Sequence, residues 1–127
     1  LDLDRFKEVN DRFGHAVGDR VLCEAADLIR HECRAIDVIA RYGGEEFALV
    51  LPATDAESGV SVCERIRLAF ERFDWMRLQP DLAVTVSSGV AQWHPSCDAK
   101  RILAQADAGL YEAKRLGRNR VIAHPFP

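Results

Sequence analysis

No Cys-x-x-Cys pair, no surplus of positive charge and no long apolar run occurs in this chain of 127 residues. The four cysteines, Cys23, Cys33, Cys63 and Cys97, are spaced for neither a zinc knuckle nor a redox motif. They read as reduced thiols, mostly core filler, in a cytosolic compartment. The four histidines, His15, His31, His94 and His124, have no metal-ligand spacing either. A formal net charge of -3 provides no basic field to grip long nucleic acid. An anionic ligand must therefore be held by local cations or by a metal. The apolar runs are too short to cross a bilayer and no signal peptide is visible, so no membrane contact is expected of this domain. Internal repeats, linkers and low-complexity stretches are also missing. What remains is a composition of 48% hydrophobic and 29% charged residues, that of an ordinary soluble globular domain. A single domain of this length removes roughly two-thirds of its unfolded surface from water.

Leu1-Asp2-Leu3-Asp4 alternates apolar and acidic residues, as the end of a strand does. The spacing predicts a short helix from Phe6 to Phe13, stopped by Gly14, and a longer one with Asp19 as its N-cap. In that second helix Val21, Leu22, Ala25, Leu28, Ile29 and Cys33 recur at helical period. Asp37–Tyr42 and Glu45–Leu51 read as two strands joined at Gly43-Gly44 by a two-residue primed turn. Val60, Cys63, Ile66, Phe70 and Phe73 mark another amphipathic helix, and residues 83–93 a β-rich run. A last helix carries Ile102, Leu103, Ala106, Leu110 and Ala113 and ends near Gly117, and a short strand follows at 120–123. The order contains β-α-β-β-α-β, so the expected class is α+β, with a ferredoxin-like core and a C-terminal αβ extension.

In that topology the first strand lies beside the hairpin, which brings Asp2 close to Glu45 and Glu46 of the stretch RYGGEEF. Three carboxylates at one sheet edge repel one another unless a cation lies among them. A hard divalent ion, Mg²⁺ above all, suits such oxygen ligands and completes its shell with water and phosphate. Taken alone, GGEE reads equally well as the solvated tip of a hairpin.

The wider pattern is more specific. DLDRFKEVNDRFGHAVGD, then RYGGEEF, then AKRLGRN stand in order from Asp2 to about Val121. This resembles the GGDEF family of diguanylate cyclase domains, here with the GGEEF variant of the signature. The resemblance implies an enzyme that condenses two GTP molecules into cyclic di-GMP with release of pyrophosphate, using Mg²⁺ (or Mn²⁺ as a substitute) and two subunits facing each other. It implies Asp2 and Glu45 as metal ligands, with the Leu3 carbonyl as a further one, and Glu46 beside the ribose and the incoming 3′-hydroxyl. Asn10 and Asp19 match guanine readers. Guanine offers two adjacent donors that a carboxylate can accept together, whereas adenine would leave a desolvated charge unpaired. Taken singly, Asp19 reads as an N-cap and Asn10 as a polar residue near a helix end. Lys7, Lys114 and Arg118 match phosphate-contacting cations, and the backbone N–H groups of Arg5 and Phe6 would cradle phosphate at a helix start. Lys114 and Arg118 also suit the negative end of a helix dipole. Gly43 and Gly44, lacking Cβ, would let phosphate approach the backbone closely.

Arg34 and Asp37, in RAID just before the signature, resemble the family's inhibitory product site, with Arg65 as a supporting cation. The plainer reading makes Arg34 a helix C-cap, Asp37 a strand start and Arg65 a solvated side chain. Set against the family's pattern, residues 1–127 form the catalytic domain without its N-terminal helix and part of its first strand. A regulatory domain in the parent protein and a cytoplasmic location follow from the same resemblance. A non-catalytic module that binds GTP or cyclic di-GMP is the alternative. A polymerase-palm or adenylyl-cyclase-like domain fits Asn10 and Asp19 less well.

Overall fold

The computed structural model describes residues 1–124; the last three residues of the expected domain lie outside that range. Strand β1 (Asp2–Leu3) leads into α1 (Phe6–Phe13) and α2 (His15–Glu32). The hairpin β2 (Val38–Arg41) and β3 (Phe47–Val50) follows, then α3 (Ala56–Arg72) and a 3₁₀ turn at Trp75–Arg77. Strand β4 (Val86–Val90), α4 (Ala99–Arg115) and β5 (Val121–Ala123) complete the described residues.

β1 pairs antiparallel with β4, which pairs parallel with β5. On its other side β1 reaches the hairpin. Leu3 donates to the Glu45 carbonyl at 3.1 Å, Phe47 donates to the Leu1 carbonyl at 2.9 Å, and Asp2 bridges Glu46. The spatial order is thus β2-β3-β1-β4-β5, the ferredoxin-like arrangement extended by one strand, as the sequence predicts.

Alternation sorts the side chains onto two faces. Leu3, Phe47 and Val86 join Val21, Ile29, Ile66 and Phe70 in the core between the sheet and α2 and α3. On the opposite face α4 lies almost directly on the β4 backbone. A Cβ on Gly89 would overlap the Ala106 carbonyl oxygen and the Leu110 nitrogen, and one on Gly109 would come within 2.8 Å of the Ile122 carbonyl oxygen. This contact fixes how far α4 reaches along the sheet, and therefore where Lys114 stands.

Two local expectations are corrected. Asp19 is not an N-cap: α2 starts at His15, with Gly14 as its N-cap at φ 90° and ψ 162°. A glycine in that conformation breaks the chain direction between α1 and α2 without a side-chain cap. The hairpin is not closed by a two-residue primed turn either. Its register pairs Arg41 with Phe47, Tyr42 and Gly43 both donate to the Glu46 carbonyl, and neither Gly43 nor Gly44 has positive φ. The wider loop is held instead by Arg41, whose guanidinium donates to the carbonyls of Gly43 (3.2 Å) and Gly44 (2.8 Å). The predicted strands are correspondingly shorter, and the β-rich run condenses to Val86–Val90.

Candidate functional site

An open cleft of about 370 Å³ runs between the start of the α1–α2 pair and the signature loop. Phe6, Lys7 and Asn10 of α1, His15, Asp19 and Leu22 of α2, and Arg41, Gly44 and Glu45 of the hairpin line it. Four residues expected at a nucleotide site, Phe6, Lys7, Asn10 and Asp19, therefore share one wall with Gly44 and Glu45 only because α1, α2 and the loop fold as they do here. Gly14 makes this arrangement: it ends α1 and starts α2, so Phe6, Lys7 and Asn10 of one and the first turns of the other face the same opening. The helix starting at Phe6 leaves its first N–H groups without intrahelical partners. Arg5, in the left-handed region at φ 55°, turns the chain out of β1 into that helix.

At the sheet edge beside the cleft, Asp2 is 4% exposed and lies directly opposite Glu46. Lys114 reaches down from the last turn of α4 and pairs with Asp2 Oδ2 at 2.9 Å. Burial, and then the negative charge of Asp2, push the Glu46 carboxyl above the usual carboxylate range, and Lys114 only partly offsets them. Glu45 points to the cleft, while its carbonyl accepts from Leu3. Asp2, Glu45 and Glu46 are thus neighbours in the backbone, but their side chains divide between the cleft wall and the Asp2–Lys114 contact. Among the described residues no group of three or more His, Cys, Asp or Glu side chains is arranged to hold a metal ion. The donor set available at this edge is nevertheless all oxygen, comprising the Asp2 and Glu45 carboxylates and the Leu3 carbonyl. Its negative charge exceeds what Lys114 supplies. That chemistry fits a hard divalent cation that keeps most of its shell as water or phosphate.

Arg118 stands four residues beyond Lys114, in the left-handed region at φ 66°. Its guanidinium has no hydrogen-bond or ion-pair partner among the described residues. The loop that carries it is tied down by a residue that sequence reasoning left at the margin. Asp4, 6% exposed, accepts from Thr85 Oγ1 (2.7 Å), Ser87 Oγ (2.6 Å) and the Asn119 N–H (3.0 Å). The alternating acidic strand end was the signal for Asp4, but its partners lie more than eighty residues away in sequence. His15, Leu22 and Arg41 are the other lining residues not anticipated, although Arg41 stands next to the glycine pair.

Arg34, Asp37 and Arg65 gather at the C-terminal end of α2, away from the cleft. Arg34 forks onto Asp37 through Nη2–Oδ1 (2.8 Å) and Nε–Oδ1 (3.2 Å), and also donates to the Pro52 carbonyl and Thr54 Oγ1. The hydrogen bond with Arg34 holds the Asp37 carboxyl below its ordinary value. Arg65 pairs with the Glu32 carboxylate at 3.2 Å and donates to the Glu32 carbonyl, rather than joining the Arg34–Asp37 pair. Among the described residues no helix is long and apolar enough to cross a membrane.

Comparison with known proteins gives a consistent result. Residues 1–120 match the family model described as diguanylate cyclase, GGDEF domain. Diguanylate cyclase A of Treponema denticola is 45% identical over 122 residues, covering 95% of this chain and 33% of that protein. The chain therefore spans about a third of that curated relative. Among solved structures, the active GGEEF domain of a diguanylate cyclase from Vibrio cholerae superposes with a TM-score of 0.90 at 35% identity. That match covers 99% of this chain and 80% of the other. The GGDEF domain of DgcB from Caulobacter crescentus, in complex with c-di-GMP, also has a TM-score of 0.90, at 40% identity, covering 97% of this chain and 74% of the other.

Proposed function

Because the chain belongs to the GGDEF domain family of diguanylate cyclases, we propose that it condenses two molecules of GTP into cyclic di-GMP, each bound in the cleft of one of two facing subunits. The observation that carries this reading is the composition of one cleft wall: Lys7, Asn10, Asp19 and Glu45 line it, and none of their side chains has a hydrogen-bond or ion-pair partner among the described residues. Polar groups without internal partners, converging on one opening, are groups available to a ligand. Asn10 and Asp19 are assigned to the guanine edge, and Lys7 with the N–H groups of Arg5 and Phe6 to phosphate oxygens. Lys114 and Arg118 add positive charge toward the phosphates. Gly44 supports close approach of a ligand to the backbone, since a Cβ there would meet no protein atom within 4 Å. The fold thus has no packing reason of its own for a glycine at that position.

Asp2 and Glu45, with the Leu3 carbonyl, would hold Mg²⁺ or Mn²⁺, which when bound supplies charge neutralisation at the triphosphate. Glu46 orients the ribose 3′-hydroxyl and accepts its proton, a task suited to a carboxylate whose proton affinity is raised by burial and by Asp2. The 3′-oxygen forms a bond to the α-phosphorus of the facing GTP, the bond to the bridging oxygen breaks, and pyrophosphate leaves. Repetition by the second subunit closes the ring. No basic surface for nucleic acid is needed, and control would come from a regulatory domain of the parent protein in the cytoplasm.

Arg34, Asp37 and Arg65 are assigned to binding of the product, cyclic di-GMP, which would restrain turnover. The domain of DgcB is known in complex with that dinucleotide, and here an arginine fork and a carboxylate already face each other at 2.8 Å. Incubation with GTP and Mg²⁺ tests the reading: cyclic di-GMP and pyrophosphate should accumulate. Binding of GTP with no product would support the non-catalytic alternative.

A further inference from the structure

Gly18 is buried in the first turns of α2, with ordinary helical geometry and no positive φ. Nothing in its backbone requires glycine, and alanine is the better helix former. The reason lies across the helix pair. A Cβ at Gly18 would overlap Asn10 Oδ1, come within 3.0 Å of Asn10 Cγ and lie 3.3 Å from Phe6 Cζ. All three contacts are with side chains of α1, and the tightest is with the carboxamide that lines the cleft. Asp19, the other residue assigned to the base, is the next residue along the chain.

From this contact we infer that Gly18 is a specificity-determining positioning residue, whose missing Cβ seats the Asn10 carboxamide beside Asp19 so that the two together read a guanine edge. The inference rests on the base-reading role given to Asn10 under the proposed function. An alanine at this position leaves the helix backbone undisturbed and displaces chiefly the Asn10 amide, the free end of a short side chain, while the Phe6 ring gives by a few tenths of an ångström. Loss of one positioned base contact lowers affinity about tenfold. The loss is confined to guanine nucleotides, since adenine does not offer the same edge.

The test measures binding of 3′-deoxy-GTP and 3′-deoxy-ATP, with Mg²⁺, by titration calorimetry; both lack the hydroxyl needed for condensation, so turnover does not intrude. Asn10→Ala should weaken 3′-deoxy-GTP about tenfold and leave 3′-deoxy-ATP nearly unchanged. Gly18→Ala should reproduce that pattern, and the double variant should lose no more than either single one. If Asn10→Ala loses the guanine preference while Gly18→Ala keeps it, or if the two losses multiply, Gly18 does not act through Asn10 and the inference fails. An Asn10→Ala protein with unaltered preference has a different signature: it removes the base-reading assignment itself, and the role of Gly18 with it. Stability gives a second readout, because deleting the carboxamide frees the space a Cβ needs. Gly18→Ala should therefore raise the melting temperature in the Asn10→Ala background and not in the wild type. A double variant that fails to fold would overturn the inference, whatever the single variant does.

Discussion

Replacing Asp4 tests how the phosphate side of the cleft is held. The carboxylate accepts three hydrogen bonds, two on Oδ2 from Thr85 and the Asn119 N–H, and one on Oδ1 from Ser87. Hydrogen bonds to an ionised acceptor are each worth about 1.5–3 kcal/mol. Their loss in Asp4→Ala is not fully additive. Thr85 is half-buried and regains water, and the Asn119 N–H keeps its second acceptor, Ser87 Oγ, at 3.1 Å. Ser87 is 0% exposed and has no such recourse. A net loss of about 3–5 kcal/mol is expected, a large part of the roughly 5–15 kcal/mol that holds a domain together. Asp4→Asn should cost only about 1–2 kcal/mol. Its carbonyl oxygen can take the Oδ2 position and its amide can donate to the Ser87 hydroxyl, which turns to accept. The Ala variant also loosens Arg118 and Asn119, held at φ 66° and 47°, conformations that side-chain-bearing residues leave when released. The Asn variant does so less, because its carbonyl oxygen still accepts from the Asn119 N–H. KM for GTP should rise in the same order as the stability falls. Equilibrium urea unfolding followed by far-ultraviolet circular dichroism measures the first effect, and initial-rate kinetics the second. An Asp4→Ala protein within about 1 kcal/mol of wild type, or an Asn variant as damaged as the Ala variant, would refute the reasoning.

Other perturbations have equally definite signs. Because the Glu46 carboxyl is raised in the fold, the folded state holds its proton more tightly than the unfolded chain. Stability therefore falls as pH rises from the ordinary glutamate value through the raised one, and then levels off. In metal-free buffer Glu46→Gln should melt above wild type at neutral pH and lose that advantage in acid; an advantage independent of pH would contradict the assignment. Gly89→Ala should destabilise by about 3 kcal/mol, because its Cβ meets the α4 backbone, including the Gly109 carbonyl carbon at 2.9 Å. Denaturant titration showing a neutral substitution would mean that α4 can lift off the sheet freely. Arg34→Ala should lower the melting temperature modestly, since it uncovers the Asp37 carboxylate and releases the Pro52 and Thr54 contacts, yet weaken cyclic di-GMP at least about tenfold in equilibrium dialysis. Unchanged affinity would remove Arg34 from product binding.

The order of elements and the sheet were legible because apolar periodicity and glycine punctuation agree throughout this chain. The signature residues were legible as a motif. Their division between the cleft wall and the Lys114 contact was not, since it depends on which face of the bridge each side chain occupies. Asp19 misled because a carboxylate before an apolar helix normally caps it, whereas here Gly14 starts the helix five residues earlier than expected. Asp4 and Gly18 were missed for a shared reason. The first depends on Thr85, Ser87 and Asn119, the second on Asn10 of a different helix, and no local pattern records such contacts. With the helix expected to begin after Asp19, Gly18 read as part of the preceding turn, and only the earlier start of α2 places it inside the helix.

Chromatography of the products formed from GTP and Mg²⁺ by wild type, Asp2→Asn and Glu46→Gln, each first shown to bind 3′-deoxy-GTP, is the most direct test of a shared carboxylate–phosphate site. Wild type should convert two GTP into one cyclic di-GMP and two pyrophosphates, while both variants bind nucleotide and form no dinucleotide. Undiminished cyclic di-GMP from either variant would contradict the roles given to these carboxylates.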